Sequence, residues 1–314
     1  MSDHPGCLIV AVDAEAFAEE IARHNDLRVP VKCCPSADQA LREYAGETVV
    51  FGDPSMIGEV LQEMPTVEWV QSSWAGVTPL ITHPRRGYVL TGVKDVFGPQ
   101  MSEYVLGYLL AHELRILERK AAQQRRSWFK DSSGMLEGKR LGIMGTGSIG
   151  RHIANSAAVF GITSFGLSRS GAATEGFENV FAVARLHDLL EQCDYLVSTL
   201  PQTPATDQLL DGAALRTLPR HAYFVNVGRS NVIDDAALID ALRNERLAGA
   251  AVDVFDQEPV PQDSPLWDTP GLSITAHVAA ISHPRLIVPI FIDNYRRYTK
   301  RQALKYVIDF DAGY

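Results

Sequence analysis

Three glycines in "RLGIMGTGSIGRHIANSAAVFG", Gly145, Gly147 and Gly150, stand in GxGxxG register between an apolar run and a helical pattern. That spacing suits a pyrophosphate. The first glycine makes a tight turn, the second lets backbone approach the phosphates, and the third allows close packing of helix on strand. Gly145, Thr146, Gly147, Ser148, Ile149 and Gly150 would then offer a helix N-terminus to the anion. The alternative is a plain strand-to-helix turn.

In a NAD site an Asp or Glu roughly 20 residues onward accepts the ribose hydroxyls, and its charge repels a 2′-phosphate. Here Ser168, eighteen residues past Gly150, opens "SRS", with Arg169 and Ser170 after it. Serine hydroxyls donate to phosphate and a guanidinium pairs with it in a charge-assisted way, so the stretch reads as selecting NADP, with NAD still possible. A solvated arginine in a Ser/Gly loop is the competing reading.

Further along, "VNVGRSNVIDDAAL" (225–238), "AAVDVFDQEPVPQDSPLW" (250–267) and "SITAHVAAISHP" (273–284) each set a charged or titratable residue at or just after a strand end. These are Arg229, Glu258 and His277. Open α/β sheets build their ligand crevices at such ends. Taken singly, the histidine could be a structural hydrogen-bonder, the glutamate could sit in a turn before Pro259, and the arginine could pair with Asp234 or Asp235.

The elements that must position these groups alternate along the chain. "CLIVAV", "VPVKCC", "TVVFGD" and "VEWVQSS" read as strands, with helical patterns at 14–24, 36–45 and 54–63 between them. Residues 96–128 carry helical apolar spacing and predict one long connecting helix. A second series follows, "RLGIMG", "TSFGLS", "NVFAV", "DYLVSTL", "AYFVNVG", "GAAVDVF" and "LSITAH", and the chain closes on a last helix and tail. Repeated β then α predicts two doubly wound parallel-sheet domains. The boundaries expected are 1–100 plus 284–314 for one and 101–283 for the other, the final helix returning to the first.

Composition sets limits on partners. The 314 residues, 46% hydrophobic and 21% charged, suffice for two cores. A net charge of -9 argues against a general nucleic-acid or anionic-membrane surface. No apolar stretch reaches the ~18 residues of a membrane span and the N-terminus carries no secretion pattern, so a cytoplasmic protein is expected. Cys7, Cys33, Cys34 and Cys193 form no CxxC pair, and no metal site is expected. "HELRI" lacks the second histidine of a zinc protease motif. Neither a GxSxG elbow nor a Walker-type lysine loop occurs.

Taken in order, the glycine motif, "STLPQTPAT" (198–206), "NVGRS", "DVFDQEP", "DSPLW" and "TAHVAA" resemble the D-isomer-specific 2-hydroxyacid dehydrogenases along nearly the whole chain. The resemblance implies a flavodoxin-like substrate domain and a Rossmann nucleotide domain with a cleft between them. It implies that His277 protonates the carbonyl oxygen of a 2-keto acid, a role an imidazole can fill near neutral pH. Glu258 would orient that ring and favour its charged form, and Arg229 would hold the carboxylate and keto oxygen. It further implies that Asp253 faces the nicotinamide amide, and that Leu200, Pro201, Thr206 and Val227 line the dinucleotide. In "VQSSWAGVTPL" the amides near Ala75 and Gly76 would contact the substrate acid. A homodimer through the nucleotide domain is the family's usual state.

Departures from the family pattern bear on the substrate. Trp74 stands where many members have glycine; it would wall the substrate site, or else it is a buried packing aromatic. Thr78 stands where Asp is common, and "TAH" replaces Thr-Pro-His. The expected activity is NADP(H)-preferring interconversion of a small 2-keto acid and its D-2-hydroxy acid, with glyoxylate or hydroxypyruvate as first choice. An NAD-dependent dehydrogenase of another 2-hydroxy acid, such as phosphoglycerate, and a nucleotide-sensing interaction protein are the alternatives.

Overall fold

The computed structural model describes residues 5–24 and 27–310. Residues 1–4 of the N-terminal stretch read for a secretion pattern lie outside the described residues. The chain forms two compact units, one holding the described residues up to Val96 and from Ser282 onward, the other Phe97–Ile281.

The first unit is a parallel sheet of β1 (Cys7–Val10), β2 (Val31–Cys34), β3 (Val49–Gly52), β4 (Trp69–Ser72) and β5 (Val89–Thr91), in the order β2-β1-β3-β4-β5. Side chains alternate across a strand. Val50 and Val70 therefore join Leu8, Ile57, Leu61 and Met64 in a core on one face. Phe51 and Trp69 stack on Phe291 from the opposite face, with ring centroids 4.6 and 5.5 Å apart. Phe291 belongs to the helix Pro284–Thr299, and removing a buried ring of this kind costs about 3–5 kcal/mol. Within that helix Asn294 is fully buried, donating to Gln71 Oε1 (3.1 Å) and accepting from Lys305 N (2.8 Å). Its amide thereby ties the tail to the sheet.

The second unit carries β6 (Arg140–Met144), β7 (Thr163–Ser168), β8 (Asn179–Ala182), β9 (Tyr195–Ser198), β10 (Tyr223–Asn226), β11 (Gly249–Val252) and β12 (Leu272–Ile274). All pair in parallel in the order β12-β11-β10-β9-β6-β7-β8. The order reverses between β6 and β9, the switch point where such sheets bind ligands. The helices Gly98–Glu113 and Ser148–Ala158 cover one face through Val105, Leu109, Ile153 and Ala157, which meet Leu141, Ile143, Val197 and Val225. On the other face Leu196, Phe224, Ala250 and Val252 meet Leu189, Leu215 and Leu238.

Two elements differ from the sequence expectation. β5 was not among the expected strands. The expected long helix over 96–128 is broken, into Gly98–Glu113 and Ile116–Gln124. Arg115 takes a left-handed conformation (φ 51°), which costs roughly 1–2 kcal/mol for a residue with a Cβ. The break is held from later residues: Gly134 N donates to Glu113 O (2.8 Å), Arg115 pairs with Asp131 (3.0 Å), and Arg119 donates to Leu114 O (2.9 Å) and Asp131 O (2.8 Å). Among the described residues no helix is long and apolar enough to cross a membrane.

Candidate active site

At the end of β6, Gly145 adopts φ +107° and a Cβ there would lie 2.6 Å from Thr199 Oγ1. A Cβ on Gly150 would lie 2.0 Å from Gly145 O, so only glycine lets the helix start this close to the strand. At Gly147 a Cβ would meet nothing within 4 Å, which leaves open space at the helix N-cap. The backbone NH groups of Thr146, Gly147, Ser148, Ile149 and Gly150 find no acceptor among the described residues. A dinucleotide pyrophosphate fits this cradle: open on one side, lined by unpaired donors and backed by a helix dipole.

Across the switch point Thr199 Oγ1 reaches Met144 O (3.1 Å) and Gly145 O (3.2 Å). Gly228 presses against the next residue, its missing Cβ only 2.7 Å from Leu200 O. Thr206 closes the following loop, its Oγ1 donating to Pro201 O (2.8 Å) and accepting from Thr203 N (3.0 Å). Val227 is buried and donates from its amide to Ser198 O (3.1 Å). Leu200, Pro201, Thr206 and Val227 thus lie at adjacent strand ends.

The turn after β7 folds itself. Ser168 Oγ accepts from Gly171 N (3.0 Å) and Ser170 Oγ from Ala172 N (3.3 Å), so each hydroxyl keeps its proton to donate elsewhere. Arg169 is exposed, with no hydrogen-bond or ion-pair partner among the described residues.

After β10, the fully buried Asn226 folds the turn that carries Arg229. Its Nδ2 donates to Arg229 O (3.1 Å) and its Oδ1 accepts from Gly228 N (3.1 Å). The Arg229 guanidinium donates to Gly228 O (2.7 Å). Burial lowers its pKa and the Glu258 charge acts the other way. No ion pair joins Arg229 to Asp234 or Asp235 among the described residues; Asp234 instead caps Ala236 N (2.9 Å).

Glu258 and His277 meet directly. His277 Nδ1 lies 2.9 Å from Glu258 Oε2, and Glu258 Oε1 accepts from Phe255 N (2.8 Å). The carboxylate is therefore fixed at one oxygen by backbone and at the other by the ring, which leaves imidazole Nε2 as the working nitrogen. Both side chains are exposed to solvent. Asp253, by contrast, is 2% exposed and turns its carboxylate to the 275–279 loop. Oδ1 accepts from Val278 N (2.9 Å) and Thr275 Oγ1 (2.5 Å), and Oδ2 from Ala279 N (2.9 Å).

In the first unit Trp74 is 43% exposed, which excludes the buried-packing reading. Ser72 Oγ braces its backbone, accepting from Trp74 N (3.0 Å). The NH groups of Ala75 and Gly76 have no acceptor among the described residues. A surface cavity lined by Leu215, Arg216, Ala237 and Arg246 includes none of the residues above. No group of three or more potential metal ligands occurs among the described residues.

Sequence reasoning overlooked Asn226, Thr275 and Tyr104. An Asn two residues before a Gly at a strand end is an Asx-turn signal that was there to use. Tyr104, hydrogen-bonded to Thr275 (2.7 Å) from 171 residues away, offered no local signal.

A glycine cradle at the switch point, with an arginine and a glutamate–histidine pair on neighbouring strand ends, defines a nicotinamide-dependent oxidoreductase of α/β type. The family model described as "D-isomer specific 2-hydroxyacid dehydrogenase, NAD binding domain" matches residues 106–279, and the chain belongs to that family. Glyoxylate/hydroxypyruvate reductase A of Salmonella paratyphi B is 32% identical over 217 residues, 69% of this chain and 70% of that one. The crystal structure of a D-isomer specific 2-hydroxyacid dehydrogenase family protein from Aeromonas salmonicida subsp. salmonicida is similar at TM-score 0.94 and 36% identity, over 99% of this chain and 100% of that one. An NADPH-dependent glyoxylate/hydroxypyruvate reductase from Sinorhizobium meliloti, solved with NADP and sulfate, is similar at TM-score 0.86 and 27% identity, over 98% of this chain and 100% of that one.

Proposed function

We propose that the protein is an NADPH-preferring reductase of a small 2-keto acid, of the glyoxylate or hydroxypyruvate kind, yielding the D-2-hydroxy acid. The turn at Ser168, Arg169 and Ser170 carries this reading: two hydroxyls with protons to donate and a guanidinium without a partner among the described residues stand where a NAD site needs an acid. The name of the Salmonella relative and the NADP bound in the Sinorhizobium structure support it.

In this reading the amides of residues 146–150 hold the pyrophosphate, while Ser168, Arg169 and Ser170 hold the 2′-phosphate. When bound, the dinucleotide supplies the hydride. Arg229, whose charge persists despite burial, grips the carboxylate and keto oxygen and stabilises the oxygen as charge builds there. His277 gives its Nε2 proton to that oxygen and keeps its Nδ1 hydrogen bond to Glu258 throughout. Glu258, locked by Phe255 N, fixes the ring orientation and holds Nδ1, so that Nε2 faces the substrate. The Ala75 and Gly76 amides are assigned to the substrate acid, and Trp74 to limiting the size of its side chain. Steady-state assay of glyoxylate, hydroxypyruvate, pyruvate and phosphohydroxypyruvate with NADPH and NADH tests the proposal. Turnover is expected with the first two and NADPH; no turnover of any 2-keto acid would sink it, and a preference for NADH would sink its cofactor half.

The proposal includes a cytoplasmic homodimer. Four free cysteines fit a reducing compartment. Leu114, Ile116, Leu117, Trp128 and Met135 expose apolar surface within one short stretch of the second unit, which fits an interface with a second copy. Sedimentation should give a dimer for the wild type and a monomer for Trp128→Glu; a monomeric wild type rejects the assignment.

A further inference from the structure

His277 stands at φ +55°, in the left-handed region that a residue with a Cβ occupies only where its surroundings enforce it. A single residue does most of that enforcing. Asp253 accepts His277 N at its carbonyl (2.9 Å), Val278 N at Oδ1 (2.9 Å) and Ala279 N at Oδ2 (2.9 Å), so three successive amides converge on it. The turn can therefore be no better placed than the Asp253 carboxylate.

That carboxylate is steered in turn from the long helix. Thr275 Oγ1 donates its only proton to Asp253 Oδ1, so towards Tyr104, 2.7 Å away, the same oxygen accepts and the phenol donates. Burial raises the Tyr104 pKa, against the Thr275 hydrogen bond, which lowers it, and with the Asp253 charge, which adds to the rise, so the phenol keeps its proton. Tyr104 is itself set in the helix Gly98–Glu113, its ring 4.8 Å from that of Tyr108. The hydrogen bonds thus converge on Asp253, from the helix through Thr275 on one side and from the amides around His277 on the other.

We propose that Tyr104 and Thr275 are positioning residues, which act through Asp253 to hold the left-handed turn that presents His277. The inference rests on the reading of His277 as proton donor. It adds a second support, because Glu258 orients the ring while Tyr104 and Thr275 place the backbone from which the ring projects. Neither residue touches substrate in this account.

Tyr104→Phe and Thr275→Val, with Thr275→Ser as the conservative control, test the proposal in the full-length protein by two readouts. The first needs neither substrate nor cofactor: amide hydrogen exchange at His277, Val278 and Ala279 should speed up about tenfold in Tyr104→Phe and Thr275→Val, and stay near wild type in Thr275→Ser. The second is kinetic, with glyoxylate and NADPH. In Tyr104→Phe and Thr275→Val kcat should fall about tenfold with both KM values held within about twofold, Thr275→Ser should restore it, and the double variant should be no slower than Thr275→Val alone. A lowered melting temperature with unchanged exchange and kcat would mean a merely structural role and overturn the proposal, as would Thr275→Ser behaving like Thr275→Val. If the wild type turned over no 2-keto acid, the proposed function would fail by itself, while exchange would still report whether Tyr104 holds the turn.

Discussion

Arg169 is a cation with no partner among the described residues, set between two serines whose oxygens are already engaged in shaping the turn. Arg169→Ala should therefore leave the turn intact and remove a charge-assisted contact to a 2′-phosphate. The expected outcome is a KM for NADPH raised about tenfold to a hundredfold with the KM for NADH nearly unchanged, read from initial rates. Equal effects on both cofactors would make Arg169 a surface residue. At this scale the sequence was informative wherever chemistry follows residue type and local spacing. The glycine motif belongs to that class, whereas the pairing of Glu258 with His277, 19 residues apart, was expected only from the family resemblance. What it hid was direction: that Asp253 turns its carboxylate to backbone amides depends on a loop 22 to 26 residues further on.

At the scale of elements, the β-rich apolar runs located eleven of the twelve strands among the described residues, because parallel strands covered on both faces read as apolar runs. β5 escaped since it has three residues and its first, Val89, is exposed, so neither length nor apolar continuity marks it. The broken helix was hidden for a different reason. Apolar spacing continues through Leu114 and Leu117, and nothing in residues 96–128 includes the Asp131 and Gly134 contacts that hold the break. The overlooked role of Asn226 is intermediate: its type hinted at a turn, but its complete burial and its hold on Arg229 come from packing beneath β10.

For the molecule as a whole, strand orders lie beyond a one-dimensional reading, yet they decide where the chemistry sits: the reversal between β6 and β9 sets Gly145 beside Thr199. The two units also divide the chain unequally. Residues 97–281 form an uninterrupted stretch with its own core faces, and they should give a cooperative thermal unfolding transition when produced alone. Residues 1–96 alone lack Phe291, which stacks on Phe51 and Trp69, and Asn294, which accepts from Lys305 and donates to Gln71; circular dichroism melting should show no such transition for them. A cooperative melt of 1–96 would refute this. The helix Pro284–Thr299 thus has a consequence for the order of events on the ribosome. Of the two units, the one whose strands are translated earlier is completed later, since its sheet waits, one face only partly covered by Phe17, until the helix Pro284–Thr299 has emerged. During that interval the nucleotide-binding unit can already have folded, and Phe51 and Trp69 are what a chaperone would meet.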